Sequence, residues 1–174
     1  PLNLAPTAST TAALAMGDAL AVALLEARGF TSADFARSHP GGRLGRRLLL
    51  LIEDVMHTGA QVPRSQPGDS LDRALLEMTR KGLGITIVVE GDRVLGVFTD
   101  GDLRRVLDRR LDIHQLPIAE VMTRHCHTVS IGTLAAEALA LMESHKVNAL
   151  PVVDAEDRLV GALNMHDLLR AGVV

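Results

Sequence analysis

The segment Ile52-Glu53-Asp54-Val55-Met56 returns 66 positions later, as Ile118-Ala119-Glu120-Val121-Met122 (52 to 118), and each copy leads into the same succession of patterns. In the first copy a helical stripe of Leu71, Leu75 and Met78 runs into an apolar stretch at 85–89. A turn at Glu90-Gly91-Asp92 follows, and then Val94-Leu95-Gly96-Val97-Phe98. The second copy repeats this with the stripe Leu134, Ala138, Leu141 and Met142, an apolar stretch at 150–153, a turn at 154–157 and Leu159-Val160-Gly161-Ala162-Leu163. Each copy closes on a helix, opened by Thr99-Asp100-Gly101-Asp102-Leu103 in one and Asn164-Met165-His166-Asp167-Leu168 in the other. A repeat of this kind means two like units, each reading helix, strand, strand, helix after a short leading strand. Units of about 60 residues bury too little surface to stand comfortably alone, so the two are expected to pack into one pseudo-symmetric module, joined by a linker at 108–117.

Composition narrows what such a module can do. Apolar residues make up 47% of the 174 and charged residues 22%, as in an ordinary globular chain. The net charge of -3, with three Phe and no Tyr or Trp, leaves neither the basic face nor the stacking platforms that nucleic acid binding needs. Cys126 is the only cysteine, so no disulfide forms within the chain. Without a signal peptide, and with the apolar run at 11–25 too short for a bilayer and broken by Asp18, the chain reads as cytoplasmic with no membrane partner.

Residues 1–45 fall outside the repeat. The segment 11–28 is apolar nearly all round, with Met16, Leu20, Ala23, Leu24 and Ala27 on one face and Leu14, Val22 and Leu25 on others, so it is expected to need neighbours on several sides. Gly29 ends it. A second short helix starts at Thr31, with Asp34 three positions on and Phe30 against Phe35 as a hydrophobic staple, and Pro40-Gly41-Gly42 stops it. Two helices without a sheet make no α/β domain. The expectation is the tail of a larger domain lying upstream, in keeping with a first residue, Pro1, that is not Met.

The repeated pattern ending in Gly96-Val97-Phe98-Thr99-Asp100-Gly101-Asp102-Leu103 resembles the cystathionine β-synthase (CBS) domain, and the tandem resembles a Bateman module. Residues 1–45, with Asn3-Leu4-Ala5-Pro6-Thr7, Gly17-Asp18-Ala19-Leu20-Ala21 and Ser38-His39-Pro40-Gly41-Gly42, look like the end of a sugar isomerase (SIS) domain. The combination, with Asp54-Val55-Met56-His57-Thr58-Gly59 at the junction, resembles the D-arabinose 5-phosphate isomerase family. The resemblance implies an α/β fold: the C-terminal helices of a truncated SIS domain at 1–45, one CBS domain at 52–112 and a second at 118–174. It also implies interconversion of ribulose 5-phosphate and arabinose 5-phosphate, the precursor of the lipopolysaccharide sugar Kdo. A homo-oligomer, tetrameric in the family, comes with it, and no cofactor does.

Five groups of residues could carry chemistry. His39 sits between a capped helix and a Pro-Gly-Gly loop. Aldose-ketose isomerisation needs a group that opens the sugar ring and moves a proton, which an imidazole can do, and the resemblance places an active-site histidine at this motif. Taken alone, the same residue reads as a helix end. With the carboxylate base upstream, the chain by itself is expected to bind rather than catalyse. Ser9, Thr10 and Thr11 precede the apolar segment and could hold a substrate phosphate, although plain N-capping is favoured. Thr99 and Asp102 resemble the nucleotide site of CBS domains, the hydroxyl serving phosphate and the carboxylate serving ribose, against the alternative of an N-cap alone. The second repeat keeps Asp167 but has Asn164 where Thr is usual, which takes away its hydroxyl. His125-Cys126-His127 lacks a third ligand on one face and reads as a solvated loop with no metal; the Arg43, Arg46, Arg47 cluster reads as a solvated or interface face. The reading these support is the C-terminal part of an isomerase whose CBS pair binds a regulatory nucleotide or nucleotide-sugar. The alternatives are a stand-alone nucleotide sensor and an oligomerisation scaffold.

Overall fold

The computed structural model describes residues 6–31, 34 and 49–173. Helix α1 (Thr7–Ala27) comes first. The repeats then give β1 (His57–Thr58), β2 (Arg64–Ser65), α2 (Leu71–Lys81), β3 (Ile85–Glu90), β4 (Arg93–Thr99) and α3 (Asp100–Asp108), followed by β5 (Val129–Ser130), α4 (Ala135–His145), β6 (Ala149–Val153), β7 (Leu159–Asn164) and α5 (Met165–Arg170). Each repeat is thus the expected leading strand, helix, strand, strand, helix. In the first, β2 runs parallel to β3 and β3 antiparallel to β4; in the second, β5, β6 and β7 do the same. The parallel pair needs a crossover, which α2 and α4 supply. Leu71, Ala74 and Met78 are the buried stripe of α2, and Ala135, Ala138, Leu139 and Met142 that of α4.

The two repeats exchange their leading segments. Strand β1 of the first repeat pairs antiparallel with β7 of the second, His57 opposite Ala162 and Thr58 opposite Gly161. Reciprocally, Thr123 bridges Val97 of β4, with N–H to carbonyl distances of 3.0 and 2.8 Å. Ile52 accordingly packs in the second repeat's core with Met142, Leu150 and Leu163, while Ile118 packs in the first repeat's core with Leu71, Phe98 and Val106. A third cluster, including Ile85, Ile87, Val97, Leu159 and Ala162, joins the two sheets. Two small units become one body because each completes the other's core. The linker contributes too, since Leu71 N–H donates to the Leu116 carbonyl (2.9 Å) and Asp72 N–H to that of Ile113 (3.1 Å). There the Ser70 hydroxyl, with His114 beside it, holds the Asp72 carboxyl below its usual range.

The exchange explains one glycine in each repeat. A methyl group on Gly96 would lie 2.4 Å from the Thr123 carbonyl oxygen and one on Gly161 2.6 Å from the Met56 sulfur and 3.0 Å from the His57 carbonyl oxygen. A thioether can swing aside; a bridging carbonyl cannot without opening the strand pair. Gly96→Ala should therefore destabilise by about 2–3 kcal/mol and Gly161→Ala by about 1, as overpacking against backbone and against a flexible side chain. Denaturant melts of the two variants check the order, which equal losses would contradict.

Helix α1 corrects two expectations. It begins at Thr7 rather than near residue 11, with Pro6 at its N-cap position. Ser9, Thr10 and Thr11 consequently lie inside the helix and cap nothing: their hydroxyls donate to carbonyls of the preceding turn, Ser9 and Thr10 to Pro6 and Thr11 to Thr7 (2.9 Å). At 21 residues the helix is also long and apolar enough to cross a membrane, so the argument from a short apolar run does not stand. Its residues are all exposed among the described ones, Met16 at 75% and Leu14 at 66%. An apolar surface all round without cover within the described residues fits the expected need for neighbours. Gly29, at φ +59°, ends the helix, and Thr31 and Asp34 form the expected reciprocal cap.

Candidate functional site

Strand β4 delivers Thr99 to the start of α3, where it and Asp102 form a capping box. The Asp102 Oδ2 atom accepts from the Thr99 N–H (2.9 Å) and from the Thr99 hydroxyl (2.7 Å); the Asp102 N–H reaches back to that hydroxyl at 3.4 Å. Its Oδ1 accepts from the Thr123 hydroxyl (2.9 Å) and from the Arg105 guanidinium. Asp102 is 3% exposed, and these four donors occupy the lone pairs of its carboxylate. A ligand hydroxyl can reach it only by displacing one of them. Arg105, whose side chain is 63% exposed, is the donor held least firmly.

The second repeat builds the same cap with one chemical difference. Asp167 Oδ2 accepts from the Asn164 N–H (2.8 Å), and Asn164 Oδ1 accepts from the Asp167 N–H (3.1 Å). The remaining Asp167 oxygen meets His57 Nε2 at 3.0 Å. His57 and Thr123 are 66 positions apart (57 to 123), the period of the repeat, so the residue after the repeated Met holds the other repeat's capping carboxylate in both directions. Sequence reasoning missed this pair; the shared offset was the signal for it.

The starts of α3 and α5 open onto one cleft of about 880 Å³ between the repeats. Leu83, Ile85, Val97, Val147, Ala149 and Pro151 give it apolar walls. Of the four candidate ligand-binding residues, Thr99, Asp102 and Asn164 line it and Asp167 does not, being turned to His57. His125, Cys126 and His127 line it as well: the segment is the expected loop, with both histidines exposed, and it borders the cleft. The His127 ring stacks on that of His145 at 3.7 Å, and burial pushes the Cys126 thiol above its usual range. No group of three or more metal-ligating side chains occurs among the described residues. His39 and the Arg43, Arg46, Arg47 cluster lie outside the described residues.

An apolar-walled slot with a buried carboxylate and two helix starts is what a small molecule with an apolar ring, hydroxyls and charge would fit. The model of the CBS domain matches residues 52–109 and 118–174, most of the chain, and the chain belongs to that family as a tandem pair. Over its whole length it is 66% identical to the arabinose 5-phosphate isomerase KdsD of Pseudomonas aeruginosa and 59% to that of Escherichia coli, covering 54% and 53% of them. The chain thus spans about half the length of the curated relatives it matches. Among solved structures, CBSX2 in complex with AMP superposes with a TM-score of 0.61 at 24% identity, over 72% of this chain and 97% of that one, a likeness of fold.

Proposed function

We propose that this chain is part of an arabinose 5-phosphate isomerase: the end of a SIS domain followed by a CBS pair that binds a nucleotide or nucleotide-sugar and regulates catalysis. The observation that carries it is identity of 66% running from the first residue to the last, α1 and the His39 motif included, rather than over the CBS pair alone. That span favours an isomerase over a stand-alone sensor. In this reading α1 buries its apolar surface in the rest of the SIS domain, which also holds the carboxylate base, and the enzyme is a cytoplasmic homo-oligomer. Ribulose 5-phosphate becomes arabinose 5-phosphate through an enediol, with His39 acting on the ring or the proton, and the product feeds Kdo and lipopolysaccharide synthesis. Ser9, Thr10 and Thr11 keep a weak place as a substrate phosphate contact, now on a helical turn. The CBS pair affects catalysis only through unequal affinity for two states of the enzyme.

Cys126 offers a direct test of the cleft. Because burial raises its pKa, its thiolate fraction at neutral pH is low, and alkylation should be slower than that of a free thiol and speed up with pH. An occupant of the cleft should slow it further. Titrating the chain with adenosine and cytidine nucleotides and a cytidine-activated sugar, while following Cys126 alkylation and heat, should give saturable protection. If none protects or binds below millimolar concentration, the oligomerisation scaffold becomes the better reading.

A further inference from the structure

The cleft is pseudo-symmetric in backbone and polarised in charge. Among the described residues its acids are Asp100 and Asp102, both of the first repeat, where Arg105, also in the lining, is paired with Asp102. On the second-repeat side it is lined by Lys146, Asn164 and His166, with His127 beside them, and by no acid, because Asp167 is drawn off to His57.

The two cap residues differ in what they can still donate. The Thr99 hydroxyl has its single proton on Asp102. Asn164 is 8% exposed and accepts the Asp167 N–H with Oδ1, which fixes the amide orientation; its NH₂ group, in the wall of the cleft, bonds to nothing among the described residues. That group is not among the buried unpartnered atoms, so it opens to the cleft with two donors free to meet a ligand.

Lys146 adds an independent sign. It ends α4 in the left-handed region at φ +54°, where the corresponding end of α2 carries Gly82 at φ +70°. A lysine is strained there and a glycine is not. The strained residue is the one that brings a positive charge to the cleft.

From these we infer that a ligand lies across the pseudo-twofold, its hydroxyls toward Asp102 and its phosphate or other anionic group against Asn164, Lys146 and His166 of the second repeat. This rests on the nucleotide reading above and deepens it. It departs from the expectation that the Thr99 hydroxyl serves the phosphate, since here Asn164, which has no hydroxyl, does so. Asn164→Thr, which copies the first repeat, should weaken binding, since the new hydroxyl would spend its proton on Asp167.

The test is calorimetric titration of the chain with adenosine and cytidine, with their mono- and triphosphates, and with the same ligands on Lys146→Gly and Asn164→Thr. Lys146→Gly should raise the melting temperature of the free protein while weakening the triphosphate about 5- to 20-fold. The unphosphorylated nucleoside should bind both variants within about twofold of the parent. Phosphorylated ligands that bind both variants as tightly as the parent overturn the inference while leaving the nucleotide reading intact, as does a variant that loses nucleoside and nucleotide alike. Absence of binding by nucleoside and nucleotide together removes both.

Discussion

His39→Ala in a full-length isomerase containing this chain is expected to lower kcat by about 10² to 10⁴-fold, the range of general acid-base catalysis, and to change KM much less. The reaction moves a proton between adjacent carbons of an open-chain sugar, so a cyclic substrate must first be opened and a base must then act. An imidazole serves near neutral pH because it exchanges a proton there. The sequence around it suits that task. In the sequence His39 is followed by Pro40-Gly41-Gly42, and glycine is the residue type that lets backbone approach a ligand closely. An interaction exercised in the transition state is lost from kcat; one that only holds substrate is lost from KM. The chain by itself should show no turnover of ribulose 5-phosphate, since the carboxylate base lies elsewhere in the proposed enzyme. A folded His39→Ala enzyme with nearly full kcat moves His39 to a structural role, and turnover by the isolated chain moves the catalytic set into these residues.

What could be read in advance depended on whether a feature is local. The repeat was legible because Ile52 and Ile118 open matching runs of helix and strand patterns, and the type of each element follows from periodicity. The exchange of leading segments was not, because a two-residue strand such as His57–Thr58 has no pattern that says which sheet it joins. Only Gly96 and Gly161, each central in a strand, hinted at a close backbone approach. The Thr99–Asp102 box was legible from the spacing of hydroxyl and acid. Its partner across the repeats, Thr123, was not, nor was His57 on Asp167, since both depend on that exchange. For α1 the cue was present and misread. Hydroxyl residues suggested a cap at 9–11, whereas proline is well suited to a helix start and Pro6 stands there.

Asp102→Ala should have two separable effects. The first is on stability, because the carboxylate satisfies the Thr99 N–H, two hydroxyls and a guanidinium from a site that is almost wholly buried. Loss of a cap costs about 0.5–2 kcal/mol and donors left without a partner add about 1–3 more, so a total of about 2–4 kcal/mol is expected. Arg105 contributes little to that figure, since its exposed end returns to water. The second effect is on binding. If the carboxylate takes ligand hydroxyls in exchange for Arg105, its loss should weaken the nucleotide by about 1.5–3 kcal/mol, roughly 10- to 150-fold. Asp102→Asn separates the two, because an amide oxygen still caps the helix while one of the two acceptor positions becomes a donor facing Arg105. It should keep more of the stability than Ala and still lose most of the affinity. Asp167→Ala makes the contrast, since it removes a cap and a His57 contact but nothing that lines the cleft. It should cost stability comparably and leave affinity within about threefold. Nucleotide binding that survives Asp102→Ala in folded protein, or that falls as far with Asp167→Ala, would show that the first repeat's carboxylate meets no ligand.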